Sequence, residues 1–530
     1  MQTDGTQGPA LPSPPSAAAS AQEVELKLAA SPEDAAKFGR LPLVKSATTG
    51  RAVTRHMHSV YYDTPDLALK AQGMALRLRR EGTRWVQTLK GAGRVEGGLH
   101  QREEREVQVP APLLDHGALA AWGVNGVLAD PEQRMRLQPV FTCDFKRTVR
   151  HLALSDGTRF EVCTDRGAIA AGEGIDRISE IELELKAGSA DRLIDFGLVL
   201  LEEVPLRLEP RSKAERGYAL AEKRAEAPTK ASAPALRPEM SVTDAFRTVV
   251  FACVGHLQAN QGGAIAGADI EYLHQARVAL RRLRSAFSVF NRAFPRAAVE
   301  DLLGELRWLG AQLGPARDWD VFTCTTLPQL AGAFRDDAAM HALSERAEAL
   351  RANTRREVAE ALAAKRYTAL LLRLNGTFYR APWTAVDDQA AAALRAAPLG
   401  QFAAEVLTRR HHKTVKRGRK HAELDASGLH RLRIEVKKLR YAAEFFSALY
   451  ERKTVRAYTG VLAALQELLG TLNDAATVER LCQVLREGRD EAAFREALGA
   501  VRGWAAATAH DQLQQLPQVW KRFRAAEPFW

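Results

Sequence analysis

The sequence predicts an α+β multidomain protein, a β-rich N-terminal domain followed by an all-α C-terminal half. Three observations predict it. Period-two alternation runs through the first 222 residues: Val24, Leu26 and Leu28 alternate with Glu23, Glu25 and Lys27, and Ile181, Leu183 and Leu185 with Glu180, Glu182, Glu184 and Lys186. After residue 240 the chain turns to long Ala/Leu/Arg/Glu stretches at helical spacing. Between the two, Ala225–Pro238 (AEAPTKASAPALRP) has the composition of a linker.

The 530 residues are too many for one ordinary domain. A hydrophobic content of 46% with 26% charged residues argues against wholesale disorder. Residues 1–21, rich in Pro, Ser, Gly and Ala, read as a disordered tail. The expected division is then 22–222, a linker at 223–240, and 241–530. The net charge of +11 is unevenly placed. Residues 1–222 hold 29 Lys+Arg and 31 Asp+Glu, residues 223–530 hold 46 and 33. A basic C-terminal half suggests a polyanionic partner, and composition alone leaves nucleic acid, anionic membrane and polyphosphate open. Five dispersed cysteines form no C-x-x-C pair, which argues against a zinc ribbon or a disulfide framework. No signal peptide and no apolar run long enough to span a bilayer is evident, and a cytoplasmic location is expected.

In a strand, residues i, i+2 and i+4 share a face. Glu23, Glu25 and Lys27 therefore project together, as do Arg77 with Arg79, and Arg102, Glu104 and Glu106. Glu161, Cys163 and Asp165 share another face, and Glu180, Glu182 and Glu184 stack three carboxylates. One such strand would read as a solvated surface. Several together suggest a barrel with a polar interior, where clustered carboxylates suit Mg²⁺ or Mn²⁺ and neighbouring Lys and Arg suit phosphate.

The motifs in order are E-V-E-L-K (Glu23–Lys27), Y-Y-D-T-P (Tyr61–Pro65), L-R-L-R (Leu76–Arg79), T-L-K (Thr88–Lys90) and G-G-L-H-Q-R-E-E (Gly97–Glu104). F-K-R (Phe145–Arg147), E-I-E-L-E-L (Glu180–Leu185) and S-K-A-E-R-G-Y (Ser212–Tyr218) follow. Together they resemble the CYTH superfamily, the triphosphate tunnel metalloenzymes. G-G-L-H-Q-R looks like its bacterial inorganic triphosphatase branch. The resemblance implies an eight-stranded antiparallel β tunnel. It makes Glu23, Glu25, Glu182 and Glu184 the metal-side carboxylates. Lys27, Arg77, Arg79, Lys90, Arg147 and Lys213 become the catalytic cradle for triphosphate, with Glu104 and Asp165 at further acidic positions. The implied reaction is hydrolysis of inorganic triphosphate to pyrophosphate and phosphate; thiamine triphosphatase and adenylate cyclase activities also occur in the superfamily.

The helical half contains a repeat. HQARVALRRLRSAFSVF from His274 aligns without gaps on HRLRIEVKKLRYAAEFF from His430, an offset of 156 residues that also carries Asp318 onto Asp474. At about 100° per residue, His274, Arg277, Arg281 and Arg284 fall in one stripe about 80° wide, beside an apolar stripe of Leu273, Leu280, Leu283 and Phe287. His430, Arg433, Lys437 and Arg440 repeat the cationic stripe. Two copies in register suggest ridges facing a shared groove. The histidines stand among cations, which suits phosphate better than a metal. Asp318 and Asp474 are expected either to orient these cations or to pair with a neighbouring helix.

These stripes, L-H-Q-A-R-V-A-L-R-R-L-R and L-H-R-L-R-I-E-V-K-K-L-R, resemble the CHAD domain, the conserved histidine α-helical domain. The resemblance implies two four-helix bundles and binding of inorganic polyphosphate through the eight stripe residues. The second copy departs from the first by placing Lys437 and Lys438 where Arg281 and Arg282 stand, which keeps charge but loses the bidentate fork. The run Arg409–His421 adds seven Lys+Arg, three His and no acid. It lacks interleaved aromatics for base stacking, which argues against nucleic acid. The resulting expectation is a metal-dependent inorganic triphosphatase with a polyphosphate-binding domain that would associate with polyphosphate granules. Its alternatives are a granule-binding protein with a weak tunnel, and an enzyme for an organic triphosphate.

Overall fold

The computed structural model describes residues 23–530 apart from 92, 97–98, 123–125, 224–226, 333, 335, 387 and 489–491. The tail at 1–21 lies outside the described residues.

Among the described residues eleven strands form one antiparallel sheet: β1 (Glu23–Ala29), β2 (Thr48–Asp63), β3 (Ala75–Glu81), β4 (Arg84–Lys90), β5 (Arg94–Glu96), β6 (Leu99–Arg102), β7 (Glu104–Val109), β8 (Gln138–Ala153), β9 (Arg159–Ala171), β10 (Gly174–Ala187) and β11 (Arg207–Leu208). Their order is β5-β6-β1-β10-β9-β8-β2-β3-β4-β7, with β11 on β1. β6 and β7 are consecutive in the chain and separated only by Glu103. β6 pairs with β1 and β7 with β4, so the segment 99–109 joins both ends of the sheet and closes it. The eight staves expected from the sequence are thus present. The count rises to eleven because the break at Glu103 splits one stave and because β5 and β11 are only three and two residues long.

The barrel is inverted relative to an ordinary one. Leu26, Leu28, Ile181, Leu183 and Val162 are fully buried, but on the outer face, while their charged neighbours line the inside. Five short helices lie along the β domain: α1 (Pro32–Lys37), α2 (Pro42–Ala47), α3 (Ala68–Ala71), α4 (His116–Ala121) and α5 (Pro131–Met135). The outer apolar face is covered mainly by α6 (Ala190–Glu203), whose Leu193, Ile194, Phe196 and Leu200 complete the layer. Each such side chain withdrawn from water contributes roughly 1.5–3 kcal/mol. α7 (Lys213–Ala221) starts at a capping box, in which Ser212 and Glu215 satisfy each other's backbone amides.

The second half is helical: α8 (Val242–Ala266), α9 (Ile270–Val289), α10 (Glu300–Val321), α11 (Leu327–Ala331), α12 (Ala338–Ala363), α13 (Lys365–Arg380), α14 (Gln389–Ala396), α15 (Leu399–Gly418), α16 (Ala426–Phe445), α17 (Arg452–Arg486) and α18 (Ala492–Ala525). α8, α9, α10 and α12 pack as one four-helix unit and α15 to α18 as a second, joined through α9 against α16 and α12 against α18. The repeat is kept to the residue: α9 and α16 start and end at positions one offset apart, behind the paired N-caps Asp269 and Asp425. No helix among the described residues is long and apolar enough to cross a membrane.

Two features tie the halves together. α13 lies on α6, where Gly197 admits Leu26 and Leu372 to close range, and a single apolar cluster runs from the sheet into the bundles. Lys365 donates to the Glu202 carbonyl at 2.8 Å and Thr368 to that of Leu206 at 2.9 Å. The Pro/Ala linker is also pinned. Pro234 and Leu236 are buried, the Thr229 amide donates to Asn260, and Arg282 donates to the Ser232 carbonyl.

Candidate tunnel site and cationic groove

β1 and β10 set the tunnel's acidic wall. Their register puts Glu25 opposite Glu184 and Lys27 opposite Glu182. Alternation sends these side chains inward and leaves Leu26 and Leu183 outside. The Lys27 ammonium, 4% exposed, donates to Glu182 and lies 3.4 Å from Glu25. Burial pushes its pKa down, but Glu182 and Glu25 hold it above the ordinary value. The side chain of Glu23 lies outside the described residues.

The remaining cradle residues come from β3, β4, β8 and α7. Arg77 donates to Glu104 at 2.9 Å, and Lys90 donates to the other Glu104 oxygen at 3.0 Å. Burial would raise the Glu104 pKa, but Lys90 and Arg77 hold it at about 2. Arg79 is pushed down by burial and by Arg77 and Arg147. Arg77 and Arg79 each bury an Nε–H with no hydrogen-bond partner among the described residues. Arg147 forks onto Asp165 at 2.8 and 2.6 Å and also donates to Glu182. The α7 cap positions Lys213, which donates to Asp165 at 2.7 Å, to Glu182 at 3.0 Å and to Glu180.

Asp165, Glu180 and Glu182 form a buried acidic cluster whose oxygens lie within 4.8 Å of one another. Lys213, Lys27 and Arg147 already neutralise it. Those cations keep Glu182 well below the ordinary carboxylate range against the effect of burial, whereas burial wins at Glu180 and raises it. Glu184 stands next to Lys186 and is less enclosed. All six expected cradle cations thus converge on one lumen, with Glu25, Glu104, Asp165 and Glu182. Sequence reasoning missed Arg216, which donates to Asp176 at 2.8 Å and to Glu180 at 3.3 Å. The available signal was its spacing, one helical turn beyond Lys213.

In the helical half the two stripes meet. The charges that bear on Lys437 include Arg433 of its own helix and Arg281 and Arg277 of the other copy. Arg277 is driven down to about 10 by burial, with Asp318 opposing and Arg281 and Arg317 adding to the shift. Gly314, on α10, leaves room for the Arg277 guanidinium, and Gly310 does so for Arg284. No hydrogen bond or ion pair joins Arg277, Arg281, Arg284, Arg433 or Lys437 to another described residue, and Arg281 and Arg433 each bury an unpartnered Nε–H. Arg440 differs, since it donates to Glu444 at 2.8 Å. His430 is hydrogen-bonded to Asn473 at 3.0 Å, while the charge that acts most on His274 is Arg317, which occupies Asn473's place in the first copy. Burial, then Arg317, lowers the His274 pKa. Asp318 accepts from Arg480 at 2.6 Å, a link between the two repeats.

The basic run Arg409–His421 is partly structural. Arg410 is buried and donates to Ser288, and Thr414 and Gly418 continue the same inward stripe. Arg409, His412, Lys413, Lys416, Arg417, Arg419 and Lys420 are exposed.

A closed sheet with a charged interior beside a duplicated helical unit with a cationic groove defines a two-domain architecture with two charged sites. Residues 21–218 match the CYTH domain and residues 248–483 the CHAD domain. The chain belongs to these families, with the CYTH domain first and the CHAD domain second. An inorganic triphosphatase of Haemophilus influenzae is 37% identical over 209 residues, which are 38% of this chain and 56% of that protein. This chain therefore spans little more than half the length of that relative. The CHAD domain from the plant Ricinus communis is 34% identical, covers 57% of this chain and 98% of its own, and superposes with a TM-score of 0.50. PptA from Streptomyces chartreusis, 15% identical with a TM-score of 0.37, covers 53% of this chain and 100% of its own.

Proposed function

We propose that the tunnel hydrolyses inorganic triphosphate to pyrophosphate and phosphate with Mg²⁺ or Mn²⁺, and that the helical groove binds inorganic polyphosphate. The observation that carries the reading is the convergence of six cations on one lumen, two of them with buried, unpartnered Nε–H donors. A chain of phosphates supplies the acceptors those donors lack. The likeness to an inorganic triphosphatase supports the same reaction.

Arg77, Arg79 and Lys90 bind phosphoryl oxygens along one wall, and Lys27, Arg147 and Lys213 do so along the other. Together they offset the charge that spreads over the transferring phosphoryl group. Without substrate the tunnel neutralises itself through Glu104, Asp165 and Glu182. Binding is then an exchange in which phosphate oxygens compete with carboxylate oxygens for the same cations. The donor chemistry fits a hard divalent ion best at Glu25 and Glu184. They face each other in register, and their side chains are 24% and 18% exposed. Glu182 adds to the set, to which the family resemblance assigns Glu23 as well. When bound, such an ion supplies Lewis-acid neutralisation of phosphoryl oxygens.

In the helical half, five cations that make no hydrogen bond or ion pair to another described residue call for an external polyanion, and the groove between α9 and α16 offers charge without a means of reading bases. Granule association would follow from that affinity. The test is phosphate release from inorganic triphosphate by the purified chain with Mg²⁺ or Mn²⁺, with ATP and thiamine triphosphate in parallel. No metal-dependent release from any of the three would refute the enzymatic reading. Preferential release from thiamine triphosphate would reassign the substrate.

A further inference from the structure

The C-terminal end of α9 and the start of α10 enclose a cavity of about 230 Å³ at one end of the cationic stripe. Phe287, Phe294, Val299 and Leu303 give it apolar walls, and Arg284, Arg296 and Arg307 stand around them with Asn291. We propose that this cavity is a nucleotide site, which takes the adenine ring of an adenosine polyphosphate while the phosphates lie outside it on Arg284 and the stripe behind.

The walls are held by the bundle itself. Phe246 in the core packs against Phe287 and Phe294 at ring separations of 5.3 and 4.4 Å, which fixes both rings. Glu300 accepts from Arg296 at 2.7 Å and from Arg307 at 2.9 Å and so sets one side of the rim. Arg284 is exposed, and its guanidinium lies over α10, 3.5 Å from where a Cβ on Gly310 would stand. It makes no hydrogen bond to another described residue, and neither does the side chain of Asn291.

Size and chemistry choose the ligand. The cavity is just under the roughly 300–1,000 Å³ of sites that enclose a whole drug-sized molecule. It has room for one ring system and leaves the rest of a ligand outside. Aromatic walls suit a flat base. An unengaged carboxamide both donates and accepts, which matches the adjacent donor and acceptor on the edge of adenine. At the rim, three guanidiniums stand against the Glu300 carboxylate, so the free charge is positive. Arg281 and Arg277 continue the face of Arg284 at roughly 4.5 and 10.5 Å along the helix axis. A triphosphate anchored at Arg284 therefore runs into the groove. The second copy lacks the site, because Ala443 stands in the place of Phe287 and Glu444 in that of Ser288, where it engages Arg440. The inference holds whichever polyanion fills the groove.

The experiment is near-ultraviolet labelling of the full chain with 8-azido-ATP in EDTA, with adducts mapped by peptide mass spectrometry. Adducts should fall within residues 284–307. ATP should protect that segment at a concentration at least about tenfold below that of inorganic triphosphate, since only ATP carries a base to bury. Arg284→Gln should lower labelling there by about tenfold. Leu303→Trp, which fills the cavity, should abolish it, and Asn291→Ala, at an exposed position, should weaken protection by ATP but not by triphosphate. Labelling confined to the tunnel strands, or spread evenly over the surface, overturns the proposal. Equal protection by ATP and inorganic triphosphate overturns it as well, because the site would then read charge alone.

Discussion

Lys27 and Glu182 are 155 residues apart in sequence, yet they are register partners on β1 and β10 and their side chains share a hydrogen bond inside the tunnel. The pair joins a substrate-side cation to the buried acidic cluster. Lys27→Met should lower triphosphate hydrolysis by about 100-fold or more, the scale seen when one preorganised electrostatic contact is removed. Glu182 keeps Arg147 and Lys213, so the stability loss should stay below the about 3–5 kcal/mol of a fully orphaned buried charge. Steady-state kinetics and urea denaturation of the same variant check both values.

Glu25→Gln and Glu184→Gln remove the two carboxylates that stand opposite each other in the β1–β10 register. Each should raise the Mg²⁺ concentration for half-maximal activity by about tenfold or more. Polyphosphate binding should be unchanged in both. A metal titration of phosphate release, paired with a polyphosphate binding isotherm, measures this.

Charge reversal in the groove should give the converse. Arg277→Glu with Arg433→Glu should weaken polyphosphate binding by about 100-fold at fixed salt and flatten its salt dependence, since fewer counterions are released. The kcat for triphosphate should stay within about twofold. Binding measured over a salt series, beside kinetics on the same protein, separates the two sites.

The tunnel also sets an acid limit. Glu104 is held at about 2, whereas an unfolded glutamate titrates near 4.3. A carboxylate depressed in the folded state contributes stability that is fully present above the unfolded value and is lost as pH falls through the folded value. The Glu104 contribution should therefore fade between about pH 4.3 and 2. Glu104→Gln should be less stable at neutral pH and should show a flatter profile across that interval. Urea midpoints measured across this pH range test it.

Gly197 on α6 sits between β1 of its own domain and Leu372 of the helical domain. A Cβ there would sit 2.8 Å from Leu26 Cδ2, on the strand that carries Glu25 and Lys27. Gly197→Val should cost about 1–3 kcal/mol by overpacking and should also reduce kcat, although the residue never meets the lumen. Thermal denaturation and kinetics together distinguish this from a purely local defect.

The charged faces of β1, β3 and β10 were legible because alternation alone assigns a face. The repeat was legible down to helix ends, since α9 and α16 differ by one constant offset. What could not be read is which charges meet. That Lys213 would enter the acidic cluster depends on where the capping box seats α7 against β9 and β10. That Arg440 would be occupied depends on Glu444, which stands one helical turn on, where the first copy has Ser288. The linker composition suggested slack, yet its few apolar residues were enough to pin it, because Leu236 found a place in the bundle core.

The two-sidedness of β1 has a consequence for how such a chain can change over generations. One face of the strand meets the lumen and the other rests, through α6, on a helix of the neighbouring domain. Neither domain can be exchanged for a foreign counterpart without exposing the α6 face that Leu372 and its neighbours on α13 cover. A lineage that lost its helical half would have to rebuild the outer face of α6, so substitutions on either side of that seam should be inherited in concert.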